Sequence, residues 1–279
     1  MNKTVKLLTL AAVALALLSS AGCDRLRARD QLNKGVEAYK NSHFEQAIGH
    51  FQQAVQYDPS LLNARMYLAT AYVSLYIPGV DSPDNIRTAM QAIEQYEKVL
   101  DDKPSREQKL NSAKGIAYLY LNMKKFDDAK KYYRIASDVD PNDAEPYYSV
   151  GVIDWTASYQ PRMEERAKLG LKPEENLNPK NKDQKKVCDE LNAKNMPVIQ
   201  EGIDSLNKAL QLRADYDDAM AYMNLMYREK ADVECNDLPA RAEDLKTADH
   251  WTDETLRVKK LKAEKAAQAP GGVTVDQPK

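Results

Sequence analysis

Few residues in this chain are of the kinds that do bond chemistry, and their spacing limits what they can do. The three histidines are His43, His50 and His250. None stands in an HExxH pair or at another metal-ligand spacing, so each reads as a solvent-exposed or structural side chain. The acidic neighbours Glu164-Glu165 and Asp217-Asp218 fall in charged, helix-forming contexts, where a solvated face or a helix N-terminal turn accounts for them. With ten glycines in 279 residues, there is no GxSxG, no phosphate loop and no GxGxxG. The expectation is a non-enzymatic protein without catalytic residues, metal or cofactor. A formal charge of -2 with no basic cluster gives no case for nucleic acid.

The three cysteines say more. No CxxC is present, so neither a redox motif nor a zinc knuckle is supported. Cys188 and Cys235 admit two readings, a disulfide or two buried thiols. Closing a loop of that length is worth roughly 4 kcal/mol in the chain-entropy account, before strain. Cys23 ends the stretch "MNKTVKLLTLAAVALALLSSAGC". Lys3 and Lys6 precede an apolar core from Leu7 to Leu18, and small residues follow. Residues 1–22 therefore read as a signal peptide, whose core is too short to span a bilayer comfortably. Ala21-Gly22-Cys23 resembles the bacterial lipobox. That resemblance implies that Cys23 receives diacylglycerol and becomes the new N-terminus, with residues 23–27 as a linker to the membrane. Cleavage after Ala21 without lipid is the alternative. An exported protein on the periplasmic face of the inner or outer membrane is expected.

What must position any functional side chain is a repeated phrase. "FEQAIGHFQQAVQYDP" runs from Phe44 to Pro59, and "FDDAKKYYRIASDVDP" from Phe126 to Pro141. Phe44, Ala47, Ile48, Phe51, Ala54 and Val55 share one face of a helix, and Asp58-Pro59 ends it. Helix, turn, small-residue contact, helix, then Pro resembles a tetratricopeptide repeat, whose period is about 34 residues. The small, aromatic and Pro positions are Gly35, Ala47, Phe51, Ala54 and Pro59 in the first copy. They are Ala69, Ala92, Tyr96 and Pro104 in the second, and Ala117, Ala129, Tyr133, Ala136 and Pro141 in the third. "YIPGVDSPDN" lengthens the second copy. Gly151, Gly202, Leu206 and Ala209 mark a fourth, lengthened by residues 161–196.

The resemblance implies an all-α protein, a right-handed α-solenoid of helix-turn-helix pairs. It has a long insertion in the fourth repeat and a C-terminal closing helix. The repeats span about 28–61, 62–106, 110–143, 144–216 and 217–262, and residues 263–279 read as a disordered tail. In this family the first helix of each pair lines a concave groove. Carried onto this chain, the groove residues are Arg29, Tyr39, Asn63, Met66, Asn111, Lys114, Tyr118, Asn122, Tyr148 and Trp155, with Thr70 beside Met66. Aromatics among polar groups suit a peptide or protein partner, although the same tyrosines suit packing against the inserted segments. The expected function is an interaction scaffold of the bacterial envelope, holding a partner protein or peptide. A broad-specificity periplasmic holder of unfolded chains is the alternative, and an enzyme built in the insert the least favoured.

Overall fold

The computed structural model describes residues 3–172 and 175–268, with side chains placed from Gly22 onward. The side chains of the expected export segment before Gly22 therefore lie outside the described residues, as does the tail beyond Gln268. Among the described residues the chain is all helix, ten in number, and no strand occurs. They are α1 (Lys3–Lys40), α2 (Phe44–Tyr57), α3 (Leu62–Leu75), α4 (Pro83–Asp101), α5 (Arg106–Asn122), α6 (Phe126–Val139), α7 (Ala144–Lys168), α8 (Lys182–Leu212), α9 (Asp217–Val233) and α10 (Leu238–Gln268). The helices fall into two units, Met1–Val139 and Asp140–Lys279. Each is a stack of antiparallel helix pairs. Among the described residues no helix is long and apolar enough to cross a membrane.

In the first unit each helix packs on the next, and α1, α3 and α5 also touch in succession. The sequence explains the pairs. Ala47, Phe51 and Ala54 of α2 are buried, and Gly35 of α1 meets the Phe51 ring where any Cβ would clash. Tyr96 of α4 lies against Gly115 of α5 in the same way, a Cβ there falling 2.6 Å from the ring. An aromatic so buried contributes roughly 1.5–3 kcal/mol, and only the missing side chain opposite admits it. The ends are equally legible. Ser82 caps α4 with Pro83 in its first turn, and Ser105 with Gln108 forms a capping box that starts α5 at Arg106. Residues 107–109, between the expected second and third repeats, thus belong to α5 and lengthen it by about a turn.

The second unit stacks α7 on α8, α8 on α9 and α9 on α10. Its core holds Ile199, Ile203, Leu206, Met223, Met226 and the disulfide between Cys188 and Cys235, whose Cα atoms are 6.3 Å apart. The insertion does not stand apart as a lobe. Residues 161–168 prolong α7, residues 182–196 begin α8, and both lean on α9. Pro161 lies inside α7, where its ring removes a donor, and Asn195 of α8 donates to the Ser158 carbonyl beside it at 3.0 Å. Arg162 holds Glu229 of α9 through Nε and Nη2 at 2.9 and 2.6 Å, and reaches Asp232 at 2.8 Å. Breaking one partner of such a buried pair costs about 3–5 kcal/mol, so Arg162 fixes the start of the insertion to the core. The expected tail boundary at 262 is moved as well, because α10 runs on to Gln268.

Two glycines separate close approach from mere helix weakness. A Cβ on Gly151 would fall 2.5 Å from Leu206 Cγ, whereas Gly49 of α2 has nothing within 4 Å. Gly151→Ala is expected to lower the urea midpoint, by roughly 1–3 kcal/mol of overpacking. Gly49→Ala should raise it, by roughly 0.5–1 kcal/mol of helix propensity.

Candidate functional site

The first unit carries a cleft on the face of α3 and α5 that packing leaves over. Ala64, Leu68, Ala69, Ala71 and Tyr72 turn α3 toward its neighbours. Asn63, Met66, Tyr67 and Thr70, spaced by three or four, are left on the other side. α5 buries Ser112, Ala113, Ile116, Ala117 and Leu119, leaving Asn111 facing the same space. The cleft measures about 550 Å³, and Ser105, Glu107 and Gln108 close its end. Gln108 donates from Nε2 to Asn63 Oδ1 at 2.9 Å, while its Oε1 accepts from the Ser105 N–H. Thr70 donates to the Met66 carbonyl at 2.9 Å and lies 3.1 Å from the Tyr96 hydroxyl. Tyr67 is stacked on Phe51 with ring centroids 5.6 Å apart.

The lining is one of amides, hydroxyls and apolar side chains. Carboxamides of Asn63, Gln108 and Asn111 can each donate and accept, which matches the alternating groups of an extended peptide backbone. Met66 and the held Tyr67 ring offer apolar contact. Glu107 is the one carboxylate of the lining, with no His, Lys or Cys beside it. No acid–base or nucleophile–base pair is therefore assembled there.

The structure brings Asn63, Met66, Thr70 and Asn111 together and places the other expected groove residues elsewhere. Arg29 is exposed on α1. Tyr39 is committed to packing, its ring 5.3 Å from Phe44 and its hydroxyl 2.9 Å from Ser74 Oγ. Lys114 is half-buried, and Tyr118 is exposed further along α5. Asn122 donates to the Tyr118 carbonyl and lines a smaller pocket near the α5–α6 turn. Tyr148 and Trp155 belong to the second unit, half-buried on its core. Tyr148 lies against Tyr216 at 4.8 Å and Tyr222 at 5.7 Å, and Trp155 is stacked on Tyr159 at 5.0 Å. These aromatics pack on one another across α7 and α9. The residues missed from sequence are Tyr67, Ser105, Glu107 and Gln108. For Ser105 and Gln108 the signal was present, since S-x-x-Q before an apolar run is a capping box.

The histidines are spent on structure or solvent. His43 is exposed at the start of α2, His50 Nδ1 lies 2.8 Å from Gln31 Oε1, and His250 lies exposed against Trp251. Among the described residues no cluster of His, Cys, Asp or Glu is arranged to hold a metal ion. Cys23 is exposed and unbonded.

Where α9 gives way to α10, Lys230 Nζ lies 2.9 Å from Asp244 Oδ1 and 3.7 Å from Glu234 Oε1. Burial, then hydrogen bonding to Asp244, pushes the Glu234 carboxyl up to about 7.

Tetratricopeptide repeat family models match residues 32–75 and 115–143. No curated protein sequence matches the chain. Among solved structures it is similar to a crystal structure of MamA protein, with a TM-score of 0.55 and 15% identity over 90% of this chain and 98% of that one. It is also similar to MamA 41-end from Desulfovibrio magneticus RS-1, with a TM-score of 0.54 and 13% identity over 84% of this chain and 96% of that one. At such identities the likeness is one of fold.

Glu234 makes the second unit sensitive to pH. Its folded value stands above the ordinary carboxylate value, so the folded state keeps a proton that the unfolded state gives up. That stabilisation is full below about pH 4.5 and is lost as pH rises through about 7. Both tryptophans, Trp155 and Trp251, lie in this unit, so their fluorescence reports its unfolding. The urea midpoint followed by tryptophan emission is expected to fall between about pH 5 and about pH 8, and to fall less in Glu234→Gln.

Proposed function

We propose that this chain, a protein built of tetratricopeptide repeats, is a non-enzymatic interaction scaffold whose α3–α5 cleft holds an extended segment of a partner protein. The observation that carries the reading is the convergence of Asn63, Met66, Thr70 and Asn111, from two separate repeats, on one cleft with amide groups turned into it. Asn111 makes no side-chain hydrogen bond among the described residues, so its donor and acceptor are open to a ligand. Fold alone does not choose a partner; amides beside Met and Tyr, with Glu107 the one charge of the lining, favour a neutral or basic segment over an acidic one.

The partner is proposed to be a protein of the bacterial cell envelope, on the periplasmic side. What supports this is the segment before Cys23 and its likeness to a lipobox. The exposed, unbonded Cys23 is compatible with acylation, and two or three acyl chains hold a protein stably on a membrane.

Two experiments test these statements separately. A photo-crosslinking residue at position 111 of the membrane-bound protein is expected to trap one stoichiometric partner, and the same probe at position 49 to trap none. Asn63→Ala with Asn111→Ala should weaken that partner's binding by roughly tenfold or more, the loss of buried hydrogen bonds. A spread of many unfolded clients would favour the holder reading instead. For the anchor, intact mass of the membrane fraction should show a mature chain beginning at Cys23 with diacylglycerol attached. A soluble chain beginning at Gly22 would refute it.

A further inference from the structure

The lengthened turn of the second repeat is held rigid in a way that leaves apolar side chains in water. Asn85, buried at the start of α4, donates from Nδ2 to the carbonyls of Ile77 at 2.8 Å and Val80 at 2.7 Å, and accepts from the Ile77 N–H at 2.8 Å. Gly79 takes the positive φ of 80° that the turn requires. The loop is thus built, yet Ile77 is 59% exposed, Val80 44% and Ile86 of α4 37%. Met90, one turn beyond Ile86, is exposed as well. Val80 and Ile86 line one pocket, with Ile77 exposed three residues before Val80 on the same fastened loop, and aliphatic side chains held exposed together mark a surface for another molecule.

The pocket at this place measures about 230 Å³ and lies between Tyr76, Val80 and Ile86 on one side and Met123, Lys124 and Lys125 of the α5–α6 turn on the other. Neither lysine has a carboxylate partner among the described residues; Lys125 Nζ lies 5.7 Å over the Tyr120 ring. Asp81, on the loop, also lines the pocket. The rim therefore has a direction, cationic at the α5–α6 turn and anionic at the loop.

We infer that residues 76–86 and the α5–α6 turn form a second docking surface, for a protein segment that presents aliphatic side chains followed by an acidic group. The aliphatic part covers Ile77, Val80 and Ile86, and the acidic group meets Lys124 and Lys125, away from Asp81. This surface differs in chemistry from the α3–α5 cleft, where amides dominate and the one charge is Glu107.

The test uses the full chain and a labelled synthetic peptide in which a run of leucine and isoleucine precedes a terminal pair of aspartates, against the same peptide ending in lysines. Fluorescence anisotropy is expected to favour the aspartate peptide by roughly fivefold, two exposed ion pairs' worth. Lys124→Glu with Lys125→Glu should reverse that preference. Ile77→Asp with Val80→Asp should abolish binding of both peptides while circular dichroism stays unchanged, since both side chains face solvent. Asn63→Ala with Asn111→Ala should leave the preference intact, so failure of the α3–α5 reading and failure of this one are told apart. Equal binding of the two peptides by the unaltered chain would overturn the inference. So would concentration-dependent dimerisation lost in Ile77→Asp with Val80→Asp, which would make a second copy the occupant.

Discussion

Where Phe51 meets Gly35, a large ring sits against a helix backbone that carries no side chain. Tyr96 against Gly115 and Leu206 against Gly151 repeat the arrangement in other pairs. A single helix pair leaves its apolar face half covered, and burying that face on the next pair is what makes a stack of such pairs stable. The approach must be close, because a ring gains its dispersion contacts only when nothing intervenes. Everything else in each unit, from the capped helix starts to the faces left for solvent, follows from keeping those contacts.

One consequence is that the first helices of the first unit have a face with no packing duty. Apolar residues at three- and four-residue spacing turn α3 and α5 toward their neighbours, so Asn63, Met66, Thr70 and Asn111 are released to a common cleft. The capping box that begins α5 closes that cleft and also supplies Gln108, which is held in place by Ser105 and Asn63. One side chain there both caps the helix and lines the cleft. Tyr39 shows the opposite outcome, since its hydroxyl is taken by Ser74 and its ring by Phe44.

The second unit spends its polar residues differently. Arg162, Glu229 and Asp232 are withdrawn from water and hold α7 to α9. Desolvating these charges is costly, and their hydrogen-bonded geometry is what recovers the cost. The disulfide and the Asn195 contact tie the long α8 to the same neighbours. The result is a unit in which Tyr148 and Trp155 pack on other aromatics of α7 and α9.

Local sequence determined the helices, their ends and their pairing. Periodicity, Ser and Pro at helix starts, Asp-Pro at helix stops and the small-against-large pattern act over a few residues, and each can be read where it stands. Asn63, Met66 and Asn111 were named from the resemblance to tetratricopeptide repeats, and in the structure they line one cleft. Three things depended on contacts between distant residues. Arg162 meets Glu229, Cys188 meets Cys235, and Asn85 fastens a loop whose aliphatic side chains then face water. A charged side chain in an insert looks solvated until the position of its partner is known, and an Ile in a turn looks like core until the turn is seen to point outward. Burial is a property of the packed chain, and only the tertiary structure could assign it.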